Sequence, residues 1–276
     1  MTNLIKADFK RVLKDKLLLV VGILALAFAF VTPLLYRVLV GEMSNDPTLE
    51  AMGFNAIYAK TQFFSSFSLG NNVGLVIPVF ISIILCKDFS HGTVRNKIIG
   101  GKSRTSVFFS MYIVCAAITW AVILVHAFLT LGISLMFFDY QATEFTASDL
   151  AYFFESLAIQ FMVYLFVAAL ITFLCTAMKN VGLVIVLYVA VMFGFTMIAG
   201  IVQIAVALIS MDGGNTFLKD VLTFFQKINV FNYSTMVGMG TSYELKDILC
   251  YFLSPVVGTA GLLGFGTLIF NKKDLK

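Results

Sequence analysis

Lys87-Asp88-Phe89-Ser90-His91-Gly92-Thr93-Val94-Arg95-Asn96-Lys97-Ile98-Ile99-Gly100-Gly101-Lys102-Ser103-Arg104-Thr105-Ser106 is a polar stretch between apolar runs too long for the core of a soluble domain. It holds five Lys or Arg against one Asp, and short loops rich in positive charge are retained on the inner side of a membrane. The composition agrees. Of 276 residues, 60% are hydrophobic, 12% are charged and 29 are Phe, more apolar surface than one water-soluble globule can hide. An all-α integral membrane protein is expected, and the net charge of +4 has meaning only through its distribution across the bilayer, not as a nucleic-acid-binding surface.

Upstream, residues 63–86 form the second expected span. It is the least regular, for Gly70, Asn71, Asn72, Gly74 and Pro78 interrupt it. Two readings stand: its outer half faces protein or water that satisfies the freed backbone groups, or Gly70-xxx-Gly74 packs against another helix. Residues 17–39 are long enough to cross about 30 Å of hydrocarbon. In residues 1–16, Leu4, Ile5, Phe9, Val12 and Leu13 share one half of a helical wheel, with Lys6, Lys10, Arg11, Lys14 and Lys16 on the rest. That pattern predicts a helix lying in the cytoplasmic interface. A signal peptide is the weaker reading, because the charged lead is long and the apolar run outlasts an h-region.

Downstream, further spans are expected at 107–138, 152–178, 181–209 and 248–270. An acidic loop at 139–150 and the two-residue turn Lys179-Asn180 separate the third, fourth and fifth, and so short a turn makes the fourth and fifth antiparallel neighbours. Between the fifth and sixth, Phe217, Leu218, Val221, Leu222, Phe224, Phe225 and Ile228 recur with helical spacing and predict an amphipathic helix at the outer membrane surface. Gly258, Gly261 and Gly264 mark a face of the sixth span open to close helix approach. In this six-span topology the cytoplasmic parts hold fourteen Lys or Arg and four Asp or Glu, the external parts five and eleven. Both termini are therefore expected in the cytoplasm.

Chemistry-bearing constellations are sparse. The cysteines Cys86, Cys115, Cys175 and Cys250 lie in or beside apolar runs without metal-ligand spacing and read as small buried hydrophobes. His126 has no carboxylate at i±3 or i±4 and reads as a hydrogen bond to a neighbouring helix rather than a proton carrier. Gly101-Lys102-Ser103 matches the end of a phosphate-binding loop, but Asn96 stands where its first Gly is required. No paired carboxylates or activated nucleophile suggest an enzyme, and no midplane charge or internal repeat suggests an ion-coupled carrier. These two classes remain the alternatives to a membrane scaffold that borrows its energy.

The arrangement resembles the membrane-spanning permease subunits of bacterial ABC-2 type transporters. The resemblance rests on the amphipathic amino-terminal segment, six spans, a basic first and very short second cytoplasmic loop, and an extended external segment before the last span. Its most specific part is Asp88-Phe89-Ser90-His91-Gly92-Thr93, similar to the family's acidic-x-x-x-Gly-Thr loop with Asp in place of the commoner Glu, followed by Ser103-Arg104. It implies that residues 1–16 are a connecting helix, that 17–276 form one transmembrane domain, and that the polar stretch holds a coupling helix for separate cytosolic ATPase subunits. ATP and Mg would be bound by those subunits, with no cofactor in this chain, and a second permease subunit, the same or homologous, would complete the assembly in the bacterial cell membrane. Asp88, His91, Gly92, Thr93, Arg95, Asn96, Lys97 and Arg104 become the expected coupling residues. Asn71, Asn72, Ser82, Tyr188, Thr196 and Gln203, on the second and fifth spans, become the expected lining of a path for a hydrophobic or amphipathic export substrate such as a peptide or lipid. The competing view of the loop is that its basic charges merely anchor it to lipid head groups.

Overall fold

A computed structural model describes residues 1–41, 58–141, 146–178, 180–211, 216–238 and 245–273. Among them the chain is all helix, in order α1 (Thr2–Leu13), α2 (Lys16–Gly41), α3 (Ala59–Ser65), α4 (Asn72–Ser90), α5 (Thr93–Ile99), α6 (Arg104–Ser134), α7 (Ala147–Met178), α8 (Val181–Met211), α9 (Thr216–Ile228), α10 (Val230–Gly238) and α11 (Leu245–Lys272). Six of them, α2, α4, α6, α7, α8 and α11, are long and apolar enough to cross a membrane. Glu42, Asp46, Glu50, Glu144, Lys179, Asp212, Glu244, Asp274 and Lys276, which entered the charge count above, lie outside the described residues.

The six spans divide into an inner and an outer set. The apolar windows of α4, α6 and α7 are 56–61% buried, those of α2, α8 and α11 only 11–22%. Outer faces such as Phe193, Met197, Ile201, Ile204 and Leu208 on α8 are bare hydrocarbon, which suits contact with lipid rather than water. One main core cluster runs through the inner helices, with Phe63, Phe64, Phe67, Tyr164, Val167 and Ile171 buried at its centre. The free cysteines Cys86, Cys115 and Cys175 are buried in it as well.

The expected second span is broken. α3 ends at Ser65, a non-helical connection follows, and α4 begins at Asn72. The break survives at depth because protein satisfies it. The Asn71 amide donates to Ser65 O at 3.0 Å and the Tyr164 hydroxyl to Phe67 O at 3.0 Å. Gly74 exists for this fold-back, since a Cβ there would stand 2.2 Å from Ser68 O. Its close neighbour is the chain's own preceding connection, so the Gly70-xxx-Gly74 helix-packing reading gives way to the protein-satisfied one.

Glycines in α11 also differ from expectation. Gly258 and Gly266 receive the rings of Phe166 and Phe108, whereas Gly261 and Gly264 face no atom within 4 Å. His126 does bridge helices, its Nδ1 lying 2.9 Å from Ala25 O of α2. A carbonyl can only accept, so Nδ1 carries the proton. α9 buries none of its residues and leaves Phe217, Leu218, Phe224 and Phe225 exposed, while its far end is tied down by the Lys227–Asp247 ion pair and by the Asn229 amide on Phe195 O at 2.8 Å.

Candidate functional site

Alternate passage of the spans gathers α1, α5, the C-terminal ends of α4, α7 and α11, and the N-terminal ends of α2, α6 and α8 at one end of the bundle. The polar stretch lies here, and the chain enters and leaves α5 through two glycines. Gly92 has φ +68° and Gly101 φ +82°, left-handed values that a Cβ disfavours. Between them, α5 is only seven residues long. Val94 is buried and Ile98 packs against the core, which turns Arg95, Asn96 and Ile99 outward. Ile99 is 72% exposed, an apolar tip among cations. At the other end of the loop, Ser103 caps α6 by accepting from Ser106 N at 3.3 Å.

Beneath α5 lies a buried ion-pair network that ties it to α1. The stripe of α1 that faces inward is Leu4, Asp8 and Val12, so a carboxylate sits in the middle of an apolar face. Val12 packs with Ile84 of α4 and Val114 and Ile118 of α6, and Ile5 and Phe9 flank that cluster. On the interfacial helix expected from the sequence, protein covers Leu4 and Val12, while Leu13 stays 54% exposed. Asp8, 2% exposed, accepts from the Ser110 hydroxyl of α6 at 2.7 Å and pairs with Lys97 Nζ of α5 at 2.6 Å. One turn on, Arg11 forks both Nη groups onto the Asp88 carboxylate at the end of α4. Its Nε lies 3.9 Å from Asp8, closing the network. Further out, Lys87 Nζ lies 3.3 Å from Asp15, which also accepts from Leu17 N at 3.0 Å.

The quartet Asp8, Arg11, Asp88 and Lys97, in which both carboxylates are buried and Arg11 is partly exposed, is formally neutral, which is the condition for charges to persist away from water. Burial pulls the Lys97 ammonium below its ordinary range, against the opposing pull of Asp8. Burial alone would raise Asp15, but the Leu17 N–H and Lys87 outweigh it and hold the carboxyl below its usual value. Such pairs add little net stability over an apolar core, but deleting one member strands its partner away from water. The network ties α1 to α4, α5 and α6.

The eight expected coupling residues separate into three groups. His91, Arg95 and Asn96 are exposed, and Gly92 and Thr93 shape the turn. Lys97, expected to face outward beside them, turns inward to Asp8, and Asp88 is buried under Arg11. Arg104 has a third role. Its Nη1 donates to Phe270 O, Asn271 O and Lys273 O at 3.2, 3.0 and 2.7 Å, capping α11, while Lys273 Nζ donates to Thr176 O at 2.8 Å and to Ala177 O, capping α7. Cations at helix C-termini satisfy orphan carbonyls and complement the dipole. These caps bind the ends of three spans together beside α5.

The expected lining residues do not share one surface. Ser82 is fully buried with its hydroxyl on Pro78 O, and Tyr188 is 1% exposed. Thr196 and Gln203 lie on the exposed face of α8, with the Thr196 hydroxyl on Met192 O, and Asn71 lies half-exposed at the break before α4. Asn72 opens α4, and its side chain lies outside the described part of the structure. Among the described residues, no three of His, Cys, Asp or Glu gather as a metal-binding group. Sequence reading missed Asp8, Arg11 and Ser110 as partners of the loop. The available signal was the acidic residue at the centre of Leu4-xxx-Asp8-xxx-Val12.

Searched against models of protein families, against curated proteins and against solved structures, the chain matches none.

Proposed function

We propose that this chain is the permease subunit of an ATP-driven transporter of the ABC-2 type, and that α5 is the element on which a separate cytosolic ATPase subunit docks. The observation that carries the reading is the clamp. A seven-residue helix set off by two left-handed glycines presents Arg95, Asn96 and Ile99 outward, while Lys97 and the adjoining Asp88 are locked through Asp8 and Arg11 to the core helices. An exposed apolar tip beside an Arg is the kind of cluster that dominates binding at protein interfaces. Displacement of α5 by a nucleotide-driven partner is passed to α4 and α6 as a rigid-body shift, because the ion pairs and the caps leave no slack between them.

In this reading both termini and α5 lie in the cytoplasm of a bacterial cell, by the excess of basic residues at that end, and α1 borders the inner leaflet. A second permease subunit, the same or homologous, pairs with this one, and the exported substrate is hydrophobic or amphipathic. The test is co-reconstitution with the ATPase that copurifies with the chain. Arg95→Glu together with Ile99→Asp abolishes transport-stimulated ATP hydrolysis while membrane insertion persists, and Lys102→Glu has a much smaller effect. If the loop served only to anchor on lipid head groups, the three charges would be interchangeable. Normal coupled transport by the Arg95→Glu/Ile99→Asp chain defeats the docking assignment, and transport by the chain without any ATPase defeats the class.

A further inference from the structure

Of the four glycines of α11, Gly258 and Gly266 are filled by the protein's own rings, and Gly261 and Gly264 are not. Phe108 seats α6 against α11, its ring on the Gly266 notch and 6.0 Å from that of Phe270. The adjoining Phe109, its ring edge-on to Phe108, walls a groove on the outer surface whose other lining residues are Ala260, Leu263, Gly264, Thr267 and Leu268. The groove is shallow and open to the outside of the bundle, with a volume of about 640 Å³. Its only hydroxyl is spent on its own helix, Thr267 Oγ1 donating to Leu263 O at 2.7 Å. An empty notch at Gly264 and an apolar lining ask for a slender hydrocarbon occupant.

The charges at one end of the groove say which. Lys272 follows Leu268 by one helical turn, and Lys102 lies just before α6, the helix that carries Phe109. Both lysines are exposed and make no ion pair among the described residues, whereas the neighbouring Arg104 and Lys273 are engaged with helix-end carbonyls. From Ala260 to Leu268 the groove runs about 12 Å along α11 at 1.5 Å per residue. We propose that it is a binding site for an anionic phospholipid, with one acyl chain lying in the groove and the phosphate between Lys102 and Lys272. A second copy of this chain fits less well, because in the same membrane orientation it brings its own basic end against this one. The proposal requires only that the chain spans a bilayer, and stands or falls independently of the transport reading.

Native mass spectrometry of the detergent-purified chain tests it, with phosphatidylglycerol and phosphatidylcholine of identical acyl chains as the probes. The unaltered chain retains phosphatidylglycerol in preference. Lys102→Gln with Lys272→Gln lowers that preference by about 25-fold, at about five-fold per lysine, without loss of helix content. Filling the groove with Gly264→Phe, or with Thr267→Phe should the first variant fold poorly, removes retention of both lipids. Equal retention of the two lipids by the unaltered chain overturns the proposal, as does retention unaffected by the lysine pair or by a filled groove. A dimer that dissociates when the groove is filled, with lipid retention unchanged, overturns it in favour of a second copy.

Discussion

Removing the Arg11 side chain is the sharpest test of the clamp. Asp88 is 1% exposed and takes both Nη groups of Arg11, so Arg11→Ala leaves a buried carboxylate with its main partner gone. Breaking a buried pair by deleting one member costs about 3–5 kcal/mol. The Arg11 side chain is itself 38% exposed, and water that reaches the vacated site recovers part of that, so a loss of about 2–3 kcal/mol is expected. The loss should fall first on the docking of α1, which carries Arg11 and packs Val12 against α4 and α6. A single cysteine at Val12, 4% exposed, reports it in a background with Cys250 replaced by Ser. Its maleimide labelling should accelerate by about 30- to 150-fold, at a factor of ten for each 1.4 kcal/mol. Arg11→Met with Asp88→Leu, which removes both charges, should return most of the protection. Acceleration of less than about three-fold by Arg11→Ala, or a double variant no better than the single one, would show that the ion pair does not hold α1 in place.

Gly74→Ala drives a Cβ to 2.2 Å from Ser68 O and should cost about 3 kcal/mol or more in an unfolding titration, whereas Gly261→Ala, with no atom within 4 Å, should be neutral or stabilise by up to about 1 kcal/mol. Arg104→Ala removes three carbonyl contacts at the end of α11 and should raise amide exchange over residues 268–272 by about ten-fold; Lys in its place should restore part, because a cation there still complements the helix dipole. Asp15 has a lowered carboxyl pKa, so its contribution is fully present above its ordinary value of 3.8 and is lost as pH falls through the lower folded value. The chain's acid-unfolding profile should therefore be shallower in Asp15→Asn over that window, and an unchanged profile would exclude the Lys87–Asp15 contact as a contributor.

The six helices long and apolar enough to cross a membrane were legible in the sequence because each is a long apolar run, and a bilayer requires such a run to satisfy its own backbone groups. The boundaries moved by a few residues at most ends, as with the third span, expected at 107–138 and found as Arg104–Ser134. The irregularity of the second span was also visible, in Gly70, Asn71, Asn72 and Gly74, because these residue types weaken a helix locally. Where the chain breaks was not visible. That depends on Tyr164, far along the chain, reaching Phe67 O, and on the fold-back packing against Gly74.

The same division runs through the candidate site. Composition and helical spacing determine that residues 1–16 are amphipathic and that the 87–106 stretch is basic. They leave undecided whether lipid or protein covers an apolar stripe, since both are equally free of water, and the tertiary structure places α4 and α6 against Val12. Charge pairing is undecided for a related reason: a sequence shows which residues are ionised but not which of them share a low-dielectric site. Arg11 and Asp88 lie 77 positions apart, and Arg104 and Asn271 lie 167 apart. Only the packing of α1 onto the ends of α4 and α6 turns Asp8 and Lys97 from two surface charges into the buried pair that sets the position of α5.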